Sequence, residues 1–294
     1  MNLNFREALV TLSRALPLVL FRAGVFVAGG FMVIIFFGML LIASRLAAGS
    51  GQVVAVVITF MVVLGWWVSD RILQRFFLYR QRAAMLLAFS GGFTAAAGMA
   101  ATIAESTRLI PDYPCWKRLN RALRPALYAF IRGGEAEFQA PPAIQCAGGF
   151  ARFLDLLAMG SLGQAVLALA FARGGTDGGR SVRESVALYF AYGMESRRLG
   201  RKWLLFSTAG LLFLFLCLAV PNWFFFSSVG APLWIGVVLA AAIARLLHQA
   251  FIAPFVLAGL SAALLAETRG HVPDPELCEK LTALFPASAL ACGR

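Results

Sequence analysis

Long apolar runs, separated by short basic stretches, dominate the pattern along this chain. The clearest are Ala23–Ser44, Val53–Val68 and Leu204–Val220, and a longer run covers Pro232–Ala266. We expect the third run to end at Pro221 and Asn222, followed by a short aromatic link, Trp223–Phe226. An apolar helix of about 20 residues crosses the hydrocarbon core of a bilayer. The pattern therefore predicts an all-α fold, a multi-pass transmembrane helix bundle.

Two further runs, Ala83–Ala104 and Phe153–Phe171, are more ambiguous. The first is uncharged but rich in small residues, which is compatible with a pass, a helix lying flat or a helix packed among others, and the second contains Asp155. The basic stretches that flank this pair face one side of the membrane only if both runs cross or neither does. Hydropathy favours six passes, whereas the basic insert between the two runs favours four. We expect six, because an uncharged run of about 22 residues is long enough to cross.

Amphipathic segments precede the first and third runs. In Met1–Phe21 and Ser181–Arg198, apolar residues recur at helical spacing and charged residues take the other faces. Such segments are typical of helices that lie in the membrane interface. Short stretches in the two halves also resemble each other in the same order, which predicts two parallel repeats. The matching pairs are Phe5–Leu9 with Val182–Val186 and Arg71–Gln74 with Arg245–His248.

These patterns divide the chain into four consecutive segments. Residues 1–104 form a first membrane half, with an amphipathic helix and two or three passes. Residues 105–150 form a basic polar insert with an interfacial helix, and residues 151–266 form a second membrane half. Residues 267–294 form a cytoplasmic tail.

Composition and charge support a membrane location. Of the 294 residues, 60% are hydrophobic and 14% are charged, and the mean hydropathy is +0.79. Soluble domains carry about 25% charged residues. The net charge of +12 is concentrated beside the apolar runs, for example at Arg71–Arg82. The positive-inside rule then predicts a multi-pass protein of the plasma membrane, the inner membrane of a bacterium, with cytoplasmic termini.

The insert contains the strongest basic amphipathic pattern in the chain. An apolar stripe at helical spacing is formed by Trp116, Leu119, Leu123, Leu127 and Phe130. The basic residues around it are Lys117, Arg118, Arg121, Arg124 and Arg132. The pattern predicts a helix on the membrane surface, in contact with anionic lipids. Nucleic acid is the alternative partner, but an apolar stripe of this kind more often lies on lipid, so we expect no nucleic acid.

Two groups of polar residues fall within or beside apolar runs. Arg245, His248 and Gln249 lie on one helix face, and Arg152 lies three residues before Asp155. Polar and ionisable residues inside a membrane often line a substrate path. The alternatives are that Arg245 marks a helix end and that Arg152 and Asp155 reach water at the start of an interfacial helix.

Motifs for catalysis or cofactor binding are absent from the sequence. It contains no Gly-x-Ser-x-Gly, Walker A, His-Glu-x-x-His or Cys-x-x-Cys pattern. Its two histidines, His248 and His271, have no ligand-like spacing to a cysteine or carboxylate. We therefore expect no enzymatic activity, no cofactor and no metal.

The second half resembles the C-terminal region of choline transporter-like proteins. The resemblance rests on Ser181–Ala187, the run Leu204–Val220 and the ending Leu264–Glu267. It covers about a third of the chain and implies an amphipathic helix, two passes and a charged tail. The large extracellular region of that family is absent here, and no binding residue can be carried over.

Two functions are consistent with these patterns. The first is transport of a small solute, such as an amphiphile or an organic cation, which the repeat and the polar face Arg245–Gln249 favour. The second is a non-catalytic subunit or scaffold of an inner-membrane assembly or secretion complex, which the basic helix Trp116–Arg132 favours. The latter implies protein partners, and a homo-oligomer is compatible with either.

A reporter fused after Arg294 tests the predicted topology. Because basic residues flank the runs on one side, the reporter is expected to give a cytoplasmic signal in intact cells. The same reporter placed after a cleaved export signal provides the opposite control. An external signal from the Arg294 fusion contradicts the predicted orientation.

Overall fold

The described part of the chain is almost entirely helical. The computed structural model describes residues 5–46, 78–91, 98–110, 112–121, 149–173, 178–228, 230 and 233–284, and single positions within 57–75 and at 123 and 127. Among these residues 92% are helical and no strand occurs. The predicted all-α class is thereby confirmed for the part of the chain that the structure describes.

Ten α-helices and one π-helix have defined bounds within the described ranges. In chain order they are α1 (Phe5–Arg14), α2 (Leu16–Leu46), α3 (Tyr79–Phe89), α4 (Gly98–Leu109), α5 (Gly149–Ala172), α6 (Gly178–Tyr192), α7 (Met194–Ser228), α8 (Leu233–Leu247), the π-helix (His248–Ile252), α9 (Ala253–Glu267) and α10 (Pro275–Leu284).

Three helical stretches are long and apolar enough to cross a membrane. They are Leu16–Met39, Ser196–Ser228 and Leu233–Glu267, with 24, 33 and 35 residues. In the second of these, only 6% of the most apolar window is buried within the protein. A surface this apolar requires lipid or another hydrophobic partner around it. The predicted pass Val53–Val68 lies largely outside the described residues.

The predicted end of the third run at Pro221 is wrong. Helix α7 continues through Pro221 to Ser228, and the turn to α8 contains Gly230, whose φ of +66° favours glycine. Beside the proline, Asn222 Nδ2 donates to the Leu218 carbonyl at 2.8 Å, a contact that fits a continuous helix. Proline is tolerated in membrane helices where nearby groups satisfy the backbone.

Contacts divide the chain into two compact units. The first unit comprises residues 1–18, 79–206 and 254–294, and the second comprises residues 19–78 and 207–253. Contacts thus group the chain differently from the four consecutive segments that the sequence suggests. Those segments stay a prediction.

The core of the first unit is built around α3. This helix packs against α1, α4 and α5, while α6 packs against α5 and α10. Every residue from Ala83 to Phe89 is buried. Since the whole of this stretch is covered by protein, its apolar composition reflects a protein core.

The run Ala83–Ala104 is therefore not a single pass, and that interpretation is wrong. Helix α3 ends at Phe89, the turn at Ser90 and Gly91 follows with a φ of +78° at Gly91, and α4 begins at Gly98. The 11 residues of α3 rise about 16 Å, and the hydrocarbon core is about 30 Å thick. The second ambiguous run lies within α5, whose residues Ala165–Ala170 are buried.

Local structure recurs in the two halves of the chain. Helix α1 is followed by the turn residue Ala15 and the long helix α2, and α6 is followed by the turn residue Gly193 and the long helix α7. Leu78 is π-helical and α3 begins after it, as α9 begins after the π-helix. These features agree in order with the matching stretches of sequence, and the two-repeat architecture itself stays a prediction.

Three aromatic rings surround Trp203 in the first unit. Trp203 is fully buried, and its ring centroid lies 5.6 Å from Phe5, 5.6 Å from Phe206 and 5.3 Å from Phe255. The arrangement is edge-to-face, which aromatic pairs prefer. Gly259 packs directly against the Trp203 ring, and a Cβ atom built there overlaps the ring carbons.

The substitution Gly259→Ala is expected to destabilise the first unit. The added methyl group must displace a fully buried indole, and overpacking of this kind costs about 1–3 kcal/mol. The matched control is Gly160→Ala, because a Cβ atom at that helical glycine meets no atom within 4 Å. Chemical unfolding in detergent measures both. Equal stability of the two variants contradicts the packing described for Trp203.

Candidate functional site

Two hydrogen-bonded pairs of polar residues, Arg22 with Gln249 and Ser207 with His248, lie in the second unit. Arg22 comes from α2, Ser207 from α7, and His248 and Gln249 from the π-helix. All four belong to candidate membrane-spanning stretches. We refer to these four residues as the polar cluster.

The π-helix determines which backbone groups the cluster presents. The Ala253 amide donates to the His248 carbonyl, five residues earlier, instead of the usual four. This one-residue insertion offsets the carbonyls of the segment from the α-helical pattern. Such insertions are rare and occur frequently at functional sites.

Arg22 is the most buried member of the cluster, with 3% of its surface exposed. Its Nε donates to the Gln249 carbonyl at 3.0 Å, and its Nη2 donates to Gln249 Oε1 at 3.3 Å. Its guanidinium carbon also lies 5.2 Å from the Phe26 ring centroid, within the range of a cation–π interaction. Removing a charged group from water costs free energy, and these contacts offset part of that cost.

The second pair in the cluster is Ser207 and His248. Ser207 Oγ and His248 Nε2 are 2.8 Å apart, and the histidine is half-buried. A neutral imidazole nitrogen either donates or accepts, and a hydroxyl can do both, so the pair can reverse the direction of its hydrogen bond.

Apolar packing encloses these polar groups. Ala23, Phe26, Leu78 and Ala250 form a buried hydrophobic cluster. A Cβ atom built on Gly210 would lie 2.7 Å from Ile252 Cδ1, so α7 approaches the π-helix closely at that glycine. Electrostatic interactions are stronger in surroundings of this kind than in water.

The polar residues predicted from the sequence lie in different surroundings. His248 and Gln249 belong to the polar cluster, whereas Arg245 is exposed. The backbone of Arg152 and Asp155 lies in α5, and their side chains lie outside the described part. The assignment of these residues to a substrate path stays a prediction.

Sequence reasoning missed Arg22 and Ser207. Arg22 directly precedes the apolar run Ala23–Ser44, where a basic residue normally marks the membrane edge. Ser207 is a single small polar residue in an apolar run, which carries little information by itself. The available cue is that apolar residues, Leu16–Phe21, also precede Arg22. Helix α2 begins at Leu16, so Arg22 lies within the helix and not at its end.

The described part of the apolar stripe is covered by protein, so its predicted contact with lipid is wrong, and Phe130 lies outside the described residues. Trp116, Leu119, Leu123 and Leu127 are buried in the first unit. A Cβ atom at Gly163 would lie 3.5 Å from Leu127 Cδ1, so the stripe packs against α5. An amphipathic pattern identifies a buried face but does not say whether protein or lipid covers it.

The described basic residues of the insert lie on the protein surface. Lys117, Arg118 and Arg121 are exposed, so they are accessible to a membrane surface or a partner. Arg124 and Arg132 lie outside the described residues. Contact of these side chains with anionic lipids stays a prediction.

Carboxylates are scarce in the three candidate spans. Glu267 is the one acidic residue in these three spans, and it lies at a terminus. Its Oε2 accepts hydrogen bonds from the Ser196 amide, at 3.0 Å, and from the Ser196 hydroxyl. Glu267 thus caps the first turn of α7, where amides lack helical partners. Among the described residues, no group of three His, Cys, Asp or Glu side chains could hold a metal ion.

No protein-family model, curated protein or solved structure matches the chain.

The hydrogen bonds of Arg22 give an ordered series of stabilities. Arg22→Ala leaves the Gln249 carbonyl without its charged donor and is expected to cost about 1.5–3 kcal/mol. Gln249→Ala removes only the 3.3 Å contact and keeps the carbonyl, so its loss is about 1 kcal/mol or less. Arg245→Ala, at an exposed position, is the control and is expected to change stability by less than about 0.5 kcal/mol.

Chemical unfolding of the full-length protein in detergent measures this series. Equal losses for Arg22→Ala and Arg245→Ala contradict a structural bond between Arg22 and the π-helix.

Proposed function

We propose that the protein is a polytopic, transport-type membrane protein that moves an anionic amphiphile. The main supporting observation is that Arg22 is buried and hydrogen-bonded to the π-helix in the second unit. Intramembrane ionisable residues that face a protein interior commonly belong to substrate paths. The support is therefore a single charged group in unusual surroundings, together with a helical irregularity at the same place.

The charge of the cluster favours an anionic solute over an organic cation. Arg22, the charged member of the polar cluster, carries a permanent positive charge. A cation would need a carboxylate or an aromatic cage for recognition. The acidic residue of the spans, Glu267, already caps α7. An anionic group that replaced Gln249 Oε1 on Nη2 would keep that guanidinium nitrogen hydrogen-bonded.

Topology and kinship form part of the same proposal. Because Ala83–Ala104 is not one helix, the parity of the charge pattern favours four passes with cytoplasmic termini in the plasma membrane. The recurrence of an amphipathic helix, a turn and a long helix supports two parallel repeats. Kinship with choline transporter-like proteins rests on the second half alone and would leave the solute class to be determined.

A scaffold of an inner-membrane complex is the second candidate. The exposed apolar surface of α7 favours a scaffold. Between 56% and 70% of the surface is exposed at four of its residues, Leu212, Phe213, Leu216 and Phe224. Lipid can cover such a surface, and so can another membrane protein. The exposed Lys117, Arg118 and Arg121 offer a separate contact for an acidic partner.

Vesicles that contain the purified protein test the transport proposal. The probes are a fluorescent phosphatidylglycerol, which is anionic, and the same label on phosphatidylcholine, which is zwitterionic. Loss of fluorescence after addition of an impermeant quencher reports movement between leaflets. The protein is expected to accelerate movement of the anionic probe more than that of the zwitterionic one.

Three variants make this experiment specific. Arg22→Gln is expected to slow the anionic probe at least about tenfold, the effect of losing one charged hydrogen bond. Arg22→Lys keeps the charge but not the planar donor pair and is expected to retain part of the rate. Arg245→Gln is the exposed control and is expected to retain the full rate. No acceleration of either probe, with a stoichiometric protein partner after purification in mild detergent, supports the scaffold instead.

A further inference from the structure

The first unit contains a large open cavity separate from the polar cluster. Its volume is about 850 Å³. Its walls are one face of α1, the end of α3 at Phe89 and Ser90, and the C-terminal part of α9 with the following turn. All of these elements belong to the first unit.

The charges around the cavity are predominantly positive. Arg6, Arg14 and Arg269 line it, and Glu7 is the acidic residue in its lining. Within the part of the chain that the structure describes, none of the three guanidinium groups has an ion-pair partner. Three cations and one carboxylate leave a surplus of positive charge, which attracts an anion.

Arg14 lines this cavity beside the turn that follows α3. A Cβ atom built on Gly91 would lie 3.7 Å from Arg14 Nη1. The guanidinium group therefore lies over the Ser90–Gly91 turn, between α1 and the end of α3. The φ of +78° at Gly91 keeps that turn compact.

An apolar surface adjoins the cationic one. Val10 and the buried Phe89 belong to the cavity wall. The neighbouring face of α1 carries Phe5 and Leu9, which are 42% and 57% exposed. Helix α1 also precedes, by the single residue Ala15, a helix long and apolar enough to cross a membrane. Cationic and apolar surfaces side by side at the start of a membrane helix match the two parts of an anionic lipid.

We propose that this cavity binds the phosphate-bearing headgroup of an anionic phospholipid. Arg6, Arg14 and Arg269 hold the phosphate, for which the planar guanidinium fork is well suited. The acyl chains lie over the exposed apolar face of α1. Glu7 lowers the affinity, because its carboxylate repels the phosphate. The site does not depend on transport, since none of its residues belongs to the polar cluster.

Native mass spectrometry of the full-length protein in detergent tests the site. The probes are dioleoylphosphatidylglycerol, dioleoylphosphatidylcholine and inorganic phosphate. We expect one phosphatidylglycerol to bind at least about tenfold more tightly than phosphatidylcholine, as for one added charged contact. Arg6→Gln/Arg14→Gln/Arg269→Gln is expected to lose this preference. Glu7→Gln is expected to strengthen phosphatidylglycerol binding, and Arg22→Gln to leave it unchanged.

The matched control removes three other exposed charges. Arg108→Gln/Arg180→Gln/Lys280→Gln lowers the net charge equally at exposed residues outside the cavity lining and is expected to keep the preference. Equal loss in the two triple variants overturns the site, as does weaker binding by Glu7→Gln. Binding of inorganic phosphate without phosphatidylglycerol overturns the lipid assignment and identifies a site for a free anion. The single substitutions give the same test if the cavity triple variant does not fold.

Discussion

The burial of one guanidinium group is the constraint on which the second unit depends. Arg22 lies beside Ala23, Phe26 and Ala250, all of them buried, and only 3% of its own surface is exposed. A charge in such surroundings needs hydrogen bonds that water would otherwise supply. The Gln249 carbonyl provides one at 3.0 Å. The π-helix therefore supplies a polar group where a regular apolar helix would present only side chains.

Parts of the fold could be predicted from the sequence, and the reasons differ between elements. Ala23–Ser44 and Leu204–Val220 are recognisable because helices in lipid need long apolar stretches. Ala83–Ala104 has similar hydropathy, but its first part, Ala83–Phe89, lies in a protein core, where short apolar helices are equally stable. Pro221 is misleading for another reason, because its effect on a helix depends on which neighbouring groups satisfy the backbone.

The candidate site shows the same limit at the level of single residues. His248 and Gln249 are visible as polar residues in an apolar run, but the π-helix that begins at His248 has no signature in the sequence pattern. Two amphipathic helices show the ambiguity most clearly. The stripe at Trp116 and Leu119 is buried by protein, whereas Phe5 and Leu9 on α1 remain exposed. Periodicity is the same in both cases, and the neighbours that decide between them come from distant parts of the chain.

The length of the candidate spans has a further physical consequence. Ser196–Ser228 contains 33 residues and Leu233–Glu267 contains 35, so each extends about 50 Å where the hydrocarbon core is about 30 Å thick. Helices with this excess tilt or project beyond the core, and the tilt changes with bilayer thickness. Ser207 and His248 lie on these two helices and are hydrogen-bonded to each other. A change in bilayer thickness that altered this tilt would therefore change the depth of the pair in the membrane.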